Sequence, residues 1–399
     1  MPGTCRTCRC SSIHSGVQMR VRFAGTTLVV LALLAIGMSW AGRSAAGHGQ
    51  PSSEHDVQPP DLLFPVDGAE RMSDDSADPL DLELIFELGQ MDGDLAFGEI
   101  VDLAVSRDSL LAVADRFGCA VRVFRFPSGE PVSELGGCGD GPGEFRRVVS
   151  IAFKADTLLV YDVGRSRIVR MDPVHGEELG SELSPLPYTE APYSHLDARE
   201  DLILYQPSWY RTTRRTLLLS RHDSGETREG LVDSEISLTN RDVSMTRSAP
   251  ACLFGTDGRA LAANPWALQA VVLDDRLDPL FDHVDQTPWV GPREEREGHW
   301  MPGVVVPRVA CGDSLAMVRY RDSERLPDQR WRVQRGLVLI VSSSGAIVQR
   351  EVVADTTWPH PSAMVPAAAT DDVFFLYQNA WGRYPMVRGY RVQGWQRGS

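Results

Sequence analysis

Between Leu82 and the C-terminus the chain repeats one short pattern six times, and a repeat of this length constrains the fold more than any other feature. Ile100–Val113 (IVDLAVSRDSLLAV) and Val148–Val160 (VVSIAFKADTLLV) both give an apolar strand, a polar turn holding Asp, and a second apolar strand. The turn Asp recurs as Asp108, Asp156, Asp201, Asp257, Asp313 and Asp372, each followed by an apolar run such as TLLVYD or VFFLYQ. An Asp side chain accepts backbone N–H groups in a tight turn, which is why hairpins recruit it. A third strand follows in every unit: Val121–Phe126, Arg167–Asp172, Thr216–Arg221, Gln269–Asp274, Gly336–Val341 and Val387–Val392. In four units a turn with Gly129, Gly176, Gly225 or Gly345 leads into a fourth strand.

Four short antiparallel strands per unit, six times over, predict an all-β, six-bladed β-propeller. The last unit stops after its third strand, and an orphan strand, Leu82–Leu88 (LELIFEL), precedes the first. Pairing the orphan into the last blade closes the ring and removes two open edges at once. Pro250, Pro307 and Pro366 fall in the first strands of their blades, where a free edge tolerates the missing N–H.

Gly136–Phe145 (GGCGDGPGEF), the strand Val148–Phe153, Tyr161-Asp162 and Arg167-Ile168 resemble the bacterial NHL-like and TolB-like six-bladed propellers. Glu87–Ile100 is a degenerate copy of the same junction. The likeness is sharp in blades one and two and only architectural beyond them. It implies a fold and not an activity. Some members of this group hold a metal at the channel mouth through His or carboxylates and use it for hydrolysis or lyase chemistry. That expectation singles out His195, His299 and His360 as ligands, although no local metal-binding spacing accompanies them. Asp115 and Asp162 end second strands ahead of Arg122 and Arg167, positions where the resemblance implies an acidic residue and an Arg; turn capping and ion pairing explain them.

Upstream of the repeat, Phe23–Met38 is an uncharged apolar run behind Arg20 and Arg22, and small residues follow it. This is the form of a secretory signal, shorter than the roughly 20 apolar residues that span a bilayer. The segments therefore read as 1–46, leader plus signal with Met19 as a natural start; 47–81, a disordered linker rich in Pro, Ser, Asp and Gly; and 82–399, the propeller. The protein is expected to be exported, periplasmic or extracellular, with an uncleaved membrane anchor as the alternative, and monomeric. Cys5, Cys8 and Cys10 lie in the leader, without partner ligands for a metal.

Residues 1–46 hold five of the 40 basic residues and none of the 54 acidic ones, so the remainder carries 35 against 54, a net charge of −19. Such a surface repels a phosphate backbone and excludes nucleic acid as a partner class. No phosphate loop, dinucleotide fingerprint or G-x-S-x-G occurs, and no cofactor is expected.

In a propeller the loops joining strands two to three, and one blade to the next, leave the same face. Trp209, Trp266, Trp331 and Trp381 lie in the first kind of loop, Trp289, Trp300 and Trp358 in the second. Indoles offer a large apolar body with one donor and suit a protein, peptide or carbohydrate ligand; plugging gaps between blade tips is the structural alternative. Trp209, Trp266, Trp381, Trp300 and Trp358 are the ligand-binding candidates. Two functions follow: an exported, non-catalytic binding scaffold, or a metal-dependent hydrolase or lyase at the channel mouth.

Four cysteines follow the signal. Cys119, in the second-to-third-strand loop of blade one, and Cys138, in the Gly-rich crossing after that blade's fourth strand, leave the same face and are expected to pair. Cys252 and Cys311, on first strands of different blades, are expected to remain free thiols.

Overall fold

The computed structural model describes residues 68–72, 77–91, 95–184, 195–206, 217–221, 225–230, 250–264, 268–285, 294–296, 299–301, 308–325, 331–354, 364–379 and 384–395. They form six antiparallel sheets of the propeller and one separate two-stranded hairpin. Blade one runs from the channel outward as Ile100–Val105, Leu110–Asp115, Ala120–Arg125 and Glu130–Gly136. Blade two is Val148–Lys154, Thr157–Asp162, Arg167–Met171 and Glu178–Leu183; blade three is His195–Arg199, Leu202–Gln206, Leu217–Arg221 and Glu226–Gly230. Blade four is Ala251–Phe254, Arg259–Ala263, Gln269–Leu273 and Pro279–Val284, and blade five is Arg308–Cys311, Leu315–Arg325, Trp331–Ser342 and Ile347–Ala354. Blade six is Val365–Ala369, Val373–Gln378 and Met386–Val392, with Leu82–Leu88 as its outermost strand. The hairpin, Glu294–Arg296 with His299–Met301, lies in the connection from blade four to blade five.

The closing strand pairs as the open edges require. Leu82 stands opposite Val392 and Leu88 opposite Val387, with a bulge between Leu84 and Phe86. It delivers Phe86 and Leu88 into the boundary with blade one, where Phe86, Phe126 and Phe375 meet edge to face at 5.0–6.2 Å. Pro366 sits in the first strand of blade six at a bulge, which relieves the ladder of its missing donor.

The core is six apolar clusters, one at each blade boundary. Period-two alternation sends successive residues of a strand to opposite neighbours. Thus Val309 and Cys311 pack toward blade four while Ala310 packs toward blade six. Both sheet faces are buried, so second strands read as unbroken apolar runs. The crossing into blade two needs its glycine. Gly136 has φ +99°, and a Cβ there would stand 2.5 Å from the Phe145 ring.

Part of the stretch read as linker is built into the ring. Glu70–Arg71 pairs in parallel with the outer strand of blade four, opposite Phe281 and Asp282, and Met72 is buried between blades four and five. The Asp78 N–H donates to Val348 O at 3.0 Å, and its carbonyl accepts from Arg350 N at 2.9 Å. The Asp81 N–H then reaches Gln349 Oε1 at 3.1 Å, while Gln349 Nε2 donates to Gln393 O. Residues 68–72 and 77–81 therefore strap the outer edges of blades four and five before entering blade six. Composition predicts disorder because it registers few apolar side chains. It cannot register unpaired strand edges that offer backbone partners to whatever passes. The signal segment and leader lie outside the described residues.

Candidate functional site

The inner strands line the channel, and a polar side chain interrupts the apolar run of the first three. Asp102, Ser150 and Asp197 each face the next blade and bind its inner strand. Asp102 Oδ2 accepts Ile151 N–H at 2.9 Å and the Ser150 hydroxyl at 2.6 Å. Ser150 Oγ in turn accepts Leu196 N–H at 3.0 Å, and Asp197 Oδ2 accepts Leu253 N–H at 2.7 Å. From blade four to five the link is covalent, Cys252–Cys311, with Cα atoms 5.7 Å apart. From six to one, Asn379 Oδ1 accepts Ile100 N–H at 3.0 Å and the Tyr377 hydroxyl donates to Val101 O at 3.1 Å.

The Cys252–Cys311 bond corrects the expectation of two free thiols. Inner strands of neighbouring blades converge on the axis, so equivalent positions come within bonding reach even at 59 residues' separation. Cys119 and Cys138 are also joined, with Cα atoms 5.0 Å apart, tying the second-to-third turn of blade one to the crossing that follows it.

His195 opens the inner strand of blade three with its Nδ1 3.1 Å from Ser150 Oγ and 3.4 Å from Asp102 Oδ2. Burial opposes its charge, but the field and hydrogen bonding of Asp102, helped by Asp197, outweigh that and raise its pKa above 6.5, against a smaller opposing effect of Arg308. Ser150 Oγ thus lies within hydrogen-bonding distance of Asp102 Oδ2, His195 Nδ1 and both the N–H and the carbonyl of Leu196, which ties the three inner strands of blades one to three together.

Asp115 and Asp162 are buried at the ends of second strands and cap turns. Asp115 accepts the N–H groups of Gly98, Glu99, Phe117 and Gly118 at 2.7–3.3 Å. Asp162 accepts those of Arg146, Arg147 and Gly164 at 2.8–3.1 Å. Arg122 lies 5.3 Å over the Phe97 ring and donates to Ala96 O at 2.6 Å; Arg167 reaches Ser181 Oγ. Each carboxylate locks the crossing between blades onto its own blade.

At the end formed by the first-to-second-strand turns the channel holds a cavity of about 620 Å³. Arg107 pairs with Glu200 at 2.9 Å on its rim. Arg199 crosses the floor, donating to Gly255 O, Cys311 O and the Asp313 carboxylate, and so ties blade three to blades four and five. Among the described residues no group of three or more His, Cys, Asp or Glu is placed to hold a metal ion. The side chains of His299 and Trp300, in the separate hairpin, and the residues Trp209, Trp266, Trp358, Trp381 and His360 lie outside the described residues. Sequence reasoning named His195 but missed Asp102, Ser150, Asp197 and Arg199. The available signal was a polar residue set into the apolar first strand of blades one, two and three.

No protein-family model matches the chain, and no curated protein matches it. Among solved structures, a member of the DUF4221 family from Bacteroides vulgatus ATCC 8482 superposes with a TM-score of 0.58 at 7% identity, over 79% of this chain and 99% of its own. A protein of Bacteroides fragilis NCTC 9343, whose name assigns it to export, gives 0.49 at 10% identity over 82% and 99%. At such identities the likeness concerns the fold alone. The class is accordingly a six-bladed β-propeller, closed by its N-terminal strand.

Proposed function

We propose that this chain is an exported, non-catalytic propeller that binds a protein, peptide or carbohydrate ligand through the loops of the tryptophan-rich face. One observation supports the reading: Asp102, Ser150, Asp197, Asp115 and Asp162, the acids and nucleophile that chemistry would recruit, each accept backbone N–H groups that hold strands or crossings in place. Such a wall is rigid and inert, and rigid scaffolds leave variable loops to do the binding. Export rests on the basic start and apolar core of the signal segment, and on two disulfides suited to an oxidising compartment.

The rival reading, a metal-dependent hydrolase or lyase, needs His195 joined by His299 and His360. Elemental analysis of protein purified from the exported fraction without chelator separates the two. The scaffold contains well under one metal ion per chain; one tightly held zinc, manganese or iron per chain would establish the rival.

A further inference from the structure

The cavity of about 620 Å³ lies at the end of the channel formed by the first-to-second-strand turns, the opposite end from the tryptophan-bearing loops. Its size is that of a small-molecule pocket, for which roughly 300–1,000 Å³ is usual. Arg107, Asp108, Asp156 and Glu200 belong to its lining and are all exposed, so it opens to solvent at the turns. Inward along blade three the lining continues without a break from Glu200 to His195, five residues and about 16 Å of strand. The inner strands supply a wall of apolar side chains, among them Leu103, Ile151 and Leu196, and small ones such as Ala152, Ala198 and Ala367.

The charges at this mouth do not balance. Three arginines line it, and each is taken by a carboxylate: Arg107 by Glu200 at 2.9 Å, Arg199 by Asp313, and Arg391 by Asp372 at 3.4 Å. Asp108 and Asp156, on the neighbouring turns of blades one and two, have no hydrogen-bond or ion-pair partner among the described residues. A turn aspartate ordinarily accepts N–H groups of its own turn. In blade one that part falls to Ser106, whose hydroxyl accepts Leu110 N–H at 3.0 Å. Two carboxylates that serve neither a turn nor an arginine leave negative charge at the entrance of an apolar-walled cavity. Among the described residues no third ligand joins them to make a metal site, so their charge suits an organic cation broad enough to lie between two turns.

We propose that this cavity binds an organic cation, a protonated amine on a slim apolar body, with Asp108 and Asp156 meeting the ammonium group at the mouth and the body entering between the inner strands. The ammonium keeps much of its hydration at the exposed rim, while the apolar part gains by leaving water. The site stands independently of the aromatic face.

The test is calorimetric titration of the chain with hexylammonium, hexanol and hexanoate, which share one alkyl body and differ only in the charge of the head. Hexylammonium binds saturably, hexanol at least tenfold more weakly, and hexanoate more weakly still. Added sodium chloride weakens the first, because charges at an exposed rim are screened. The double variant Asp108→Asn, Asp156→Asn, at exposed positions without partners among the described residues, keeps the parental Tm. It loses at least tenfold in affinity for hexylammonium and nothing for hexanol. Ala367→Leu, which narrows the cavity, weakens both. A short lysine-containing peptide with blocked ends is titrated alongside: binding as tight as that of hexylammonium assigns a peptide side chain as the source of the amine, and weaker binding assigns a free amine. No saturable binding of hexylammonium, equal binding of hexanoate, or an undiminished affinity in the double variant overturns the assignment.

Discussion

Removal of every residue before Gly89 will abolish cooperative unfolding and drive the protein toward aggregation. The deletion takes away the outermost strand of blade six and leaves Met386–Val392 as a bare seven-residue edge, a template for pairing with other chains. It also strips Phe86 and Leu88 from the boundary between blades six and one. Loss of a buried Phe alone costs about 3–5 kcal/mol, against total domain stabilities of roughly 5–15 kcal/mol. The strap over blades four and five goes with it, including buried Met72. Calorimetry and light scattering on the parent chain and the truncation check this. A truncated chain that melts like its parent would show that the ring does not depend on its closing strand.

Asp102→Ala will be the most damaging single substitution in the channel wall, lowering stability by about 3–5 kcal/mol, the range for breaking a buried charged network. Asp102 accepts from Leu103 N–H, Ile151 N–H and the Ser150 hydroxyl, so its loss strands donors on two inner strands at once. The same change uncouples His195. Because the folded pKa of His195 is raised, its stabilising contribution is complete below about pH 6.5, the unfolded value, and is lost as pH rises through the folded one. The deficit of Asp102→Ala relative to the parent will therefore be larger at pH 5.5 than at pH 8.5. Denaturant midpoints at both pH values measure it, and a deficit that grows with pH would show that His195 is not held by Asp102.

The ring and its closure were legible because they rest on short-range patterns: alternation, turn chemistry and a strand count left one short. The strap was not, since Met72 and Asp78 are held by edges hundreds of residues away in sequence. Their own neighbours read as unstructured. Likewise, Asp102, Ser150 and Asp197 are visible as polar interruptions in apolar strands. Only the convergence of inner strands on the axis shows that each reaches the next blade. That convergence also explains why Cys252 and Cys311, apparently remote, are bonded.

The central claim, a rigid exported scaffold whose tryptophan-rich loops bind a ligand, is tested most directly by probing peptide and glycan arrays with the mature chain and with the triple variant Trp209→Ala, Trp266→Ala, Trp381→Ala. The parent should bind a defined subset of probes, and the variant should lose that binding while its melting temperature stays within about 2 °C. That change corresponds to less than roughly 1 kcal/mol for a domain of this size. Unchanged array binding by the variant, or a loss of binding accompanied by a fall of 10 °C or more in melting temperature, would contradict the account and make these indoles plugs between blade tips.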